Sequence, residues 1–394
     1  MMANFNTQTT GNTGAGFNKT YYDRSLLEAA KTQLVYTEHG QKRPLPKNAG
    51  KKIEMRRWSL WDPSCAMTPL TEGETPDGLS LAQDIVEAEV KQYGAYFTYS
   101  DMLDLTGFDE ILSAGSERMG ELLGTVIEWV TRDEIATGNN VNWAGDAISR
   151  NTITVNDKLT STDIRKAVRD LKKRKARMFL RDQRKHYVAV VSPDAVYDLQ
   201  SDPLWQAANT YVDNDQLYTG ELGRLFGVVF LESTEAPVVK NALSSTISAY
   251  SATTKVVTID DELSEAAQDY LDSAGAQVTA NGQSAYVAGF DAGSKSITLT
   301  AAFASAPATG AKIVSRDGAD SGIAVHQTLV FGQDAYGIIN VDEGSIRIIV
   351  KSVGEGGFDP LNQRGTVGGK VMAFAAKILN EDWITRIEHA VTED

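Results

Sequence analysis

The chain has 394 residues, 42% of them hydrophobic, so it is long enough for two or three domains with substantial cores. Its 38 basic and 52 acidic side chains give a formal net charge of -14, which argues against a general nucleic-acid-binding protein. Cys65 is the only cysteine, which excludes an intrachain disulfide and a cysteine-based metal cluster and suits a reducing cytoplasm.

The first 50 residues are predicted to form an N-terminal arm. Residues 1–18 are polar and lack the charged and apolar segments of a signal peptide. A short helix is expected from Tyr21 to Leu34, where apolar side chains share one face, and the prolines of Arg43–Gly50 predict extended backbone. No run of 18 apolar residues occurs in the sequence, so we expect no membrane span.

Residues 51–99 are predicted to form a long two-stranded ribbon, an extended loop. Apolar and charged side chains alternate from Lys51 to Trp61 and again from Val86 to Tyr99, and a change of phase near Gln92 and Gly94 predicts a bulge that turns the ribbon over. An isolated hairpin is at best marginally stable, so we expect the ribbon to lie on another copy of the chain. Its polar tip, dense in turn residues, consists of Thr71, Glu72, Gly73, Glu74, Thr75, Pro76, Asp77 and Gly78.

A long amphipathic helix, the spine helix, is predicted over about 108–137. Ser100 is a suitable N-cap for a short helical turn before it. A helix of about 28 residues would be roughly 42 Å long, which suits a structural axis. We expect four apolar side chains to be buried between this helix and the subunit's own sheet, namely Leu122, Leu123, Val126 and Ile127.

From about residue 161 the pattern alternates between helix and strand, so the fold class is α+β. A helix is predicted from Thr162, buried strands at Tyr187–Ser192 and Phe226–Leu231, and a short helix at Pro193–Gln200.

Residues 241–320 are rich in Ala, Ser and Thr, and we interpret them as a small β-rich inserted domain. Short strands are predicted at Lys255–Ile259, Ala285–Ala288 and Ser296–Thr300. The alternative, an irregular loop of 80 residues, would be unusual in a compact domain.

Dense strand patterning returns after the insertion. Strands are predicted at Thr328–Phe331, Tyr336–Asn340 and Ser345–Val350, followed by a closing strand pair at Val371–Asn380 and Trp383–Glu388.

A basic cluster occupies residues 165–185, with eleven basic side chains against only Asp170 and Asp182. Five of the basic residues lie on the helix predicted from Thr162, namely Arg165, Lys166, Arg169, Lys172 and Lys173. The cluster can be a solvated helix face, a patch that meets acidic residues of a neighbouring subunit, or a contact for the phosphates of nucleic acid.

No catalytic, metal or cofactor motif is present in the sequence. The four histidines have no metal-ligand spacing, and there is no G-x-S-x-G motif. The glycine-rich run before Lys370 fails the phosphate-loop pattern, because Arg364 stands where that pattern needs glycine. We therefore expect no enzyme, no catalytic or metal site, no cofactor and no small-molecule substrate.

Several stretches together resemble the major capsid proteins of tailed bacteriophages, the Hong Kong phage capsid fold, in the branch found in many short-tailed phages. They are Leu45–Gly50 before the ribbon, Leu70–Pro76 at its tip, Gln92–Gly94 with Ser100 and Asp101 before the spine helix, and Asp359–Gly368 near the end. The resemblance covers the whole chain except about 241–320.

The resemblance implies an arm (1–50), an extended loop (51–99), a peripheral domain with the spine helix (100–160 and 351–394), an axial domain (161–240 and 321–350) and the inserted domain. It implies hexamers and pentamers of an icosahedral shell that encloses double-stranded DNA, contacted non-specifically, together with portal, scaffold and decoration proteins. The subunit would be assembled in the bacterial cytoplasm and found in the virion. Nothing in the sequence marks a covalent crosslink between subunits.

Three alternatives remain from the sequence. An encapsulin-like nanocompartment shares the fold and would hold cargo enzyme rather than DNA. A DNA-binding module would rest on the basic cluster, and an α/β enzyme on the alternation of strand and helix over residues 161–231.

Overall fold

The computed structural model describes residues 34–46, 50–59, 61–67, 69, 72, 75, 78–106, 111–181, 184–209, 221–341, 346–353, 361 and 363–392. The described strands form a five-stranded sheet, an eight-stranded sheet, a closed six-stranded barrel and a two-stranded ribbon. No described helix is both long enough and apolar enough to cross a membrane. The helix expected at Tyr21–Leu34 lies outside the described residues except for its last position.

In chain order, the described helices are α1 (Tyr36–His39), α2 (Asp101–Thr106), α3 (Ile111–Ala136), α4 (Ser161–Lys173), α5 (Pro193–Gln200), α6 (Pro203–Asn209) and α7 (Glu265–Asp272). The strands are β1 (Gln41–Leu45), β2 (Lys52–Trp58), β3 (Gln83–Glu89), β4 (Lys91–Ser100), β5 (Val141–Trp143), β6 (Phe179–Arg181), β7 (Arg184–Val191), β8 (Glu221–Leu225), β9 (Val228–Glu232), β10 (Val238–Val239), β11 (Ser244–Ser251), β12 (Val256–Ile259), β13 (Gln277–Ala280), β14 (Gln283–Asp291), β15 (Ser296–Leu299), β16 (Lys312–Ser315), β17 (Val325–Phe331), β18 (Tyr336–Val341), β19 (Ile346–Lys351), β20 (Arg364–Ile378) and β21 (Ile384–His389).

The five-stranded sheet has the order β1-β18-β20-β19, and β4 also pairs with β20. Ser100 of β4 lies opposite Arg364, and the antiparallel pairing continues to Tyr93 opposite Val371. Residues 91–100 therefore belong to this sheet, and the prediction that they form the return limb of the ribbon is wrong. The change of phase near Gln92 marks the point where the chain passes from the ribbon into the sheet, not a bulge that turns the ribbon over.

The spine helix α3 packs on the five-stranded sheet along one row of side chains. Met119, Leu123 and Ile127 are spaced four residues apart and form a buried cluster with Val371 and Phe374 of β20. The strand and the helix approach each other so closely that any side chain at Gly369 would overlap Met119 and Leu123. This close contact explains the glycine at position 369 within a long strand.

The burial predicted for the spine helix is confirmed at two positions and wrong at a third. Leu123 is 1% exposed and Ile127 9% exposed, whereas Leu122 is 47% exposed. Val126 is half-buried. Successive helical residues are rotated by about 100°, so Leu122 points away from the sheet when Leu123 faces it.

The eight-stranded sheet has the order β5-β21-β17-β7-β9-β8, with β6 and β10 attached to β7 and β17. Helices α4, α5 and α6 cover one face, where Leu171, Leu199 and Trp205 share a core with Phe230. On the other face Leu329 joins the core of the spine helix. One sheet thus connects two cores.

The strands predicted after the insertion are present, but their expected arrangement is wrong. β20 belongs to the five-stranded sheet and β21 to the eight-stranded sheet, so they are not a closing pair. Strands β18 and β19 both pair with β20, whereas β21 pairs with β17. Membership of the sheets therefore does not follow the boundary that we expected at residue 350.

Residues 244–315 form a closed barrel with the strand order β11-β12-β15-β14-β13-β16. Strands β12, β14 and β15 cover the three predicted strands, while β11, β13, β16 and helix α7 were not predicted. The interior is apolar and contains the fully buried Leu243, Ile247, Val257, Val278, Ile297 and Ile313. The two ends of the barrel meet, because the backbone N–H of Ser315 donates to the carbonyl of Leu243 at 2.9 Å.

Candidate assembly surfaces

The ribbon is formed by β2 and β3, which pair antiparallel from Lys52 opposite Glu89 to Trp58 opposite Gln83. Its base packs on the subunit's own sheet, since Ile53 and Met55 contact a buried cluster that contains Ile339. Ion pairs such as Arg57–Asp84, at 3.2 Å, are exposed and contribute little to stability. Within the described residues, Arg57 Nη1 near the far end of β2 also donates to Asn380 Oδ1 at 2.6 Å. The described contacts that hold the ribbon on its own subunit are therefore the apolar packing at its base and this exposed hydrogen bond.

Beyond the base, large apolar side chains of the ribbon and its loop are open to solvent. The exposed fractions are 59% for Trp58, 53% for Trp61, 76% for Met67, 50% for Leu79, 55% for Leu81 and 53% for Ile85. A group of large exposed apolar side chains on one extended element is typical of an interaction site. Of the eight tip residues, Glu72, Thr75 and Gly78 are exposed, and Thr71, Gly73, Glu74, Pro76 and Asp77 lie outside the described residues.

A second exposed apolar surface, which the sequence pattern did not reveal, is strand β19. Ile346, Ile348, Ile349 and Val350 are 38–44% exposed. In the described part of the chain β19 pairs only with β20, so its other edge is unpaired. An unpaired, apolar edge strand is usually covered in the functional state of a protein.

A buried carboxylate anchors the described start of the chain to the spine helix. Glu128 is fully buried and accepts hydrogen bonds from the backbone N–H groups of Val35, Tyr36 (2.5 Å) and Thr37 (3.0 Å). The Tyr336 hydroxyl donates to the carbonyl oxygen of Tyr36 at 2.5 Å. Burial and the nearby Glu128 carboxylate raise the pKa of both tyrosines. This network fixes Val35–Thr37 against the spine helix.

Glu128→Ala is expected to lower the free energy of unfolding by about 2–4 kcal/mol, because it leaves three N–H donors without their acceptor in a buried site. Glu128→Gln, which keeps one acceptor oxygen, should lower it less. Glu134→Ala is the matched control, since Glu134 lies on the same helix in a partly exposed ion pair with Lys377. Denaturant unfolding measures the three values, and equal effects of Glu128→Ala and Glu134→Ala would contradict the anchoring role.

The five basic residues predicted on α4 line one open groove of about 920 Å³ together with Phe226. We call it the α4 groove. The Arg165 guanidinium lies 5.3 Å from the centroid of the Phe226 ring, within range of a cation–π contact. Phe226 adopts a left-handed backbone (φ 53°) in the turn between β8 and β9. The sequence pattern placed Phe226 in a strand, so its position in the groove was not predicted.

Helix α4 forms because its first turn is capped and its inner face is apolar. The Thr160 hydroxyl donates to Asp163 at 2.6 Å, and the Asp163 carboxylate also accepts from the backbone N–H of Thr160. Ile164, Val168 and Leu171 are buried against the eight-stranded sheet. The basic side chains are thereby directed to the outer face.

The barrel is linked to the eight-stranded sheet by a charged contact at its base. Glu388 of β21 is 1% exposed and accepts hydrogen bonds from Arg150 and from Trp143 Nε1 (3.2 Å). The same Arg150 side chain donates to the carbonyl oxygen of Asp317, just after β16. Arg150 therefore connects the end of the barrel to the buried carboxylate of Glu388 in the eight-stranded sheet.

Comparison with known proteins gave one family and many related structures. A family model described as "Phage capsid protein" matches residues 98–353. No curated protein shows significant sequence similarity.

Capsid structures of three phages have a similar fold over nearly the full chain. The capsid of Ralstonia phage GP4 has a TM-score of 0.59 and 13% identity, covering 98% of this chain and 99% of that chain. The cyanophage Pam1 capsid has a TM-score of 0.59 and 13% identity, covering 100% of both chains. The capsid of cyanophage P-SCSP1u has a TM-score of 0.57 and 12% identity, covering 99% of this chain and 100% of that chain.

Proposed function

Because the chain belongs to the phage capsid protein family, we propose that its copies form hexamers and pentamers of an icosahedral shell that encloses double-stranded DNA. It is a major capsid protein, with the Hong Kong phage capsid fold and a location in the shell of the virion. Capsid proteins are structural, and we assign this chain no enzymatic activity and no cofactor. Portal, scaffold and decoration proteins, and packaged DNA contacted non-specifically, are its further proposed partners, and the host cytoplasm is its proposed site of assembly.

The observation that carries the proposal is the ribbon. Its base is packed on its own subunit, but Trp58, Met67 and Ile85 remain more than half exposed. Burying a large apolar side chain contributes roughly 1.5–3 kcal/mol, so covering several of them on a neighbour would stabilise a ring of subunits. The contact joins different patches on the two copies, and such contacts repeat around a closed ring.

The domain assignment that we propose follows the sheets. The arm and the ribbon extend from a peripheral domain built from the five-stranded sheet and α3. The axial domain is built from the eight-stranded sheet with α4, α5 and α6. The exposed edge of β19 is a second surface that assembly would cover.

Negative-stain electron microscopy of the expressed full-length chain tests the proposal. We expect uniform hollow shells. Shells that enclose a cargo enzyme in place of DNA when isolated from infected cells would favour the encapsulin-like alternative. A protein that stays monomeric at high concentration and beside its phage partners would contradict the proposal.

We further propose that the barrel lies on the outer surface of the shell. Residues 241–320 contain nine acidic and four basic side chains, so the electrostatic potential of packaged DNA disfavours an inward position. The hydrogen bond between Leu243 and Ser315 supports an insertion whose ends are adjacent in space.

Replacing residues 243–315 with a short Gly-Ser linker is expected to leave shells of unchanged geometry and lower thermal stability. The residues that flank the linker are already close, and β17 and β10 pair without the barrel. Electron microscopy measures the shell diameter of the variant and the wild type. Subunits that no longer fold, or a shell map with the barrel facing inward, would contradict the proposal.

A further inference from the structure

An acidic face covers one side of the barrel, on α7 and the turn before it. It consists of Asp260, Asp261, Glu262, Glu265, Asp269 and Asp272. All six side chains are exposed, and no basic residue occurs between positions 260 and 272. Within the described ranges, no cationic side chain lies within ion-pair distance of any of them. Ser245 Oγ donates to the Asp261 carboxylate at 2.8 Å and Thr246 Oγ1 to the Asp260 carboxylate at 3.3 Å, while Lys295 Nζ donates to the backbone carbonyl of Asp260 at 3.1 Å.

The α4 groove has the opposite charge and an excess of cations. Helix α4 carries five basic side chains and two acidic ones, and both acidic side chains form ion pairs within the helix. Asp163 pairs with Lys166 at 2.9 Å and Asp170 with Arg169 at 3.1 Å. Lys172 and Lys173 are exposed, and no described carboxylate lies within ion-pair distance of them.

The two surfaces are opposite in charge and similar in length. Lys173 is eight positions after Arg165, a rise of about 12 Å, and Asp272 is seven positions after Glu265, a rise of about 10.5 Å at about 1.5 Å per residue. Each surface is exposed on the same chain, and no ion pair joins them within the described subunit. A contact between them must therefore be made by two different copies.

We propose that the acidic face of one copy docks in the α4 groove of a neighbouring copy. This inference rests on the proposed function, because it needs neighbouring copies in a shell. A contact between two different patches can repeat around a ring or join adjacent rings. Nucleic acid is the other polyanion that could fill the groove, but it would leave six exposed carboxylates uncompensated. A second copy of the chain neutralises both surfaces at once, and each copy carries one groove and one acidic face, so the two occur in equal numbers.

Charge reversal tests the contact in the full-length chain. Arg169→Glu with Lys172→Glu reverses the groove, and Asp269→Lys with Asp272→Lys reverses the acidic face. Each double variant sets like charges against each other across the contact, so it is expected to lose most of its shells, as measured by sedimentation and electron microscopy. The linker variant that lacks residues 243–315 loses the attraction without gaining repulsion, so it should still form shells, of lower thermal stability. The quadruple variant, with both surfaces reversed, is expected to recover them, which also shows that the substitutions permit folding. Assembly of the wild type should slow as salt screens the two surfaces.

The matched control is Lys240→Glu, an exposed cation outside the groove, which should assemble as the wild type does. Normal shells from either double variant would overturn the inference, and so would a quadruple variant no better than its halves. Loss of double-stranded DNA binding in the groove variant, with normal assembly of the acidic-face variant, would assign the groove to nucleic acid instead. A wild-type chain that forms no shells under any of these conditions would count against the proposed function itself.

Discussion

A chain that lacks residues 71–81 is expected to fold and to fail to build normal shells. The deletion removes the tip of the extended loop but leaves every β2–β3 pair, from Lys52–Glu89 to Trp58–Gln83. It also leaves the base of the ribbon packed on the five-stranded sheet. The core clusters of the described residues contain no member of the deleted segment, so we expect the unfolding transition to change little.

The loss of assembly has a physical cause in the exposed surface that the deletion removes or displaces. Leu79 and Leu81 are at least half exposed in the subunit and are deleted. Circular dichroism and thermal unfolding report the fold, while sedimentation and electron microscopy report assembly. A variant in which 71–81 is replaced by Gly and Ser at equal length separates the chemistry of the tip from its length. Normal shells from the deletion variant would show that the tip is dispensable.

Leu123→Asp is expected to yield insoluble chain instead of unassembled soluble subunits. Leu123 is 1% exposed between α3 and β20, so the substitution buries an unpaired carboxylate, which costs several kcal/mol. Typical domains are stable by about 5–15 kcal/mol, so this is a large fraction of the total.

The adjacent position provides the control for this prediction. Leu122 is 47% exposed, so Leu122→Asp should change the free energy of unfolding by only about 0.5 kcal/mol. The two variants have the same change of chemistry on neighbouring residues of one helix. Soluble yield and thermal unfolding distinguish them, and a soluble, well-folded Leu123→Asp subunit would show that the buried row on the spine helix has been assigned incorrectly.

Features that depend on local periodicity could be predicted from the sequence. The spine helix, predicted over 108–137, is observed at Ile111–Ala136, and the strands of the ribbon base are observed at Lys52–Trp58 and Gln83–Glu89. These elements have long, regular patterns of apolar residues. The three strands that were predicted in the barrel have shorter runs, but these alternate regularly between turn residues.

Features that depend on which distant segments meet could not be predicted in this way. An alternating strand such as β4 has the same pattern whether it pairs with the ribbon or with β20, so residues 91–100 were assigned to the wrong partner. Leu122 and Leu123 are both leucines on one helix, and only the position of Gly369 and Phe374 decides which one is buried. Glu128 was missed because a buried carboxylate that binds the backbone of a distant segment has no local signature.

The candidate interfaces likewise combine features that local sequence predicts with features that depend on distant segments. The sequence gathered Arg165, Lys166, Arg169, Lys172 and Lys173 on one helix, and the structure places all five in one groove. The contribution of Phe226 depends on a turn 53 residues away from Lys173, so it required the fold. The acidic face on α7 lay within a predicted inserted domain, but the helix that presents it was not predicted.

A cryo-electron microscopy reconstruction of shells from the full-length chain, at side-chain resolution, tests the central claim most directly. We predict that the ribbon, residues 52–89, crosses onto a neighbouring subunit and that Trp58, Trp61 and Ile85 are buried there. A reconstruction in which the ribbon lies only on its own subunit, with these side chains still exposed to solvent, would contradict the account.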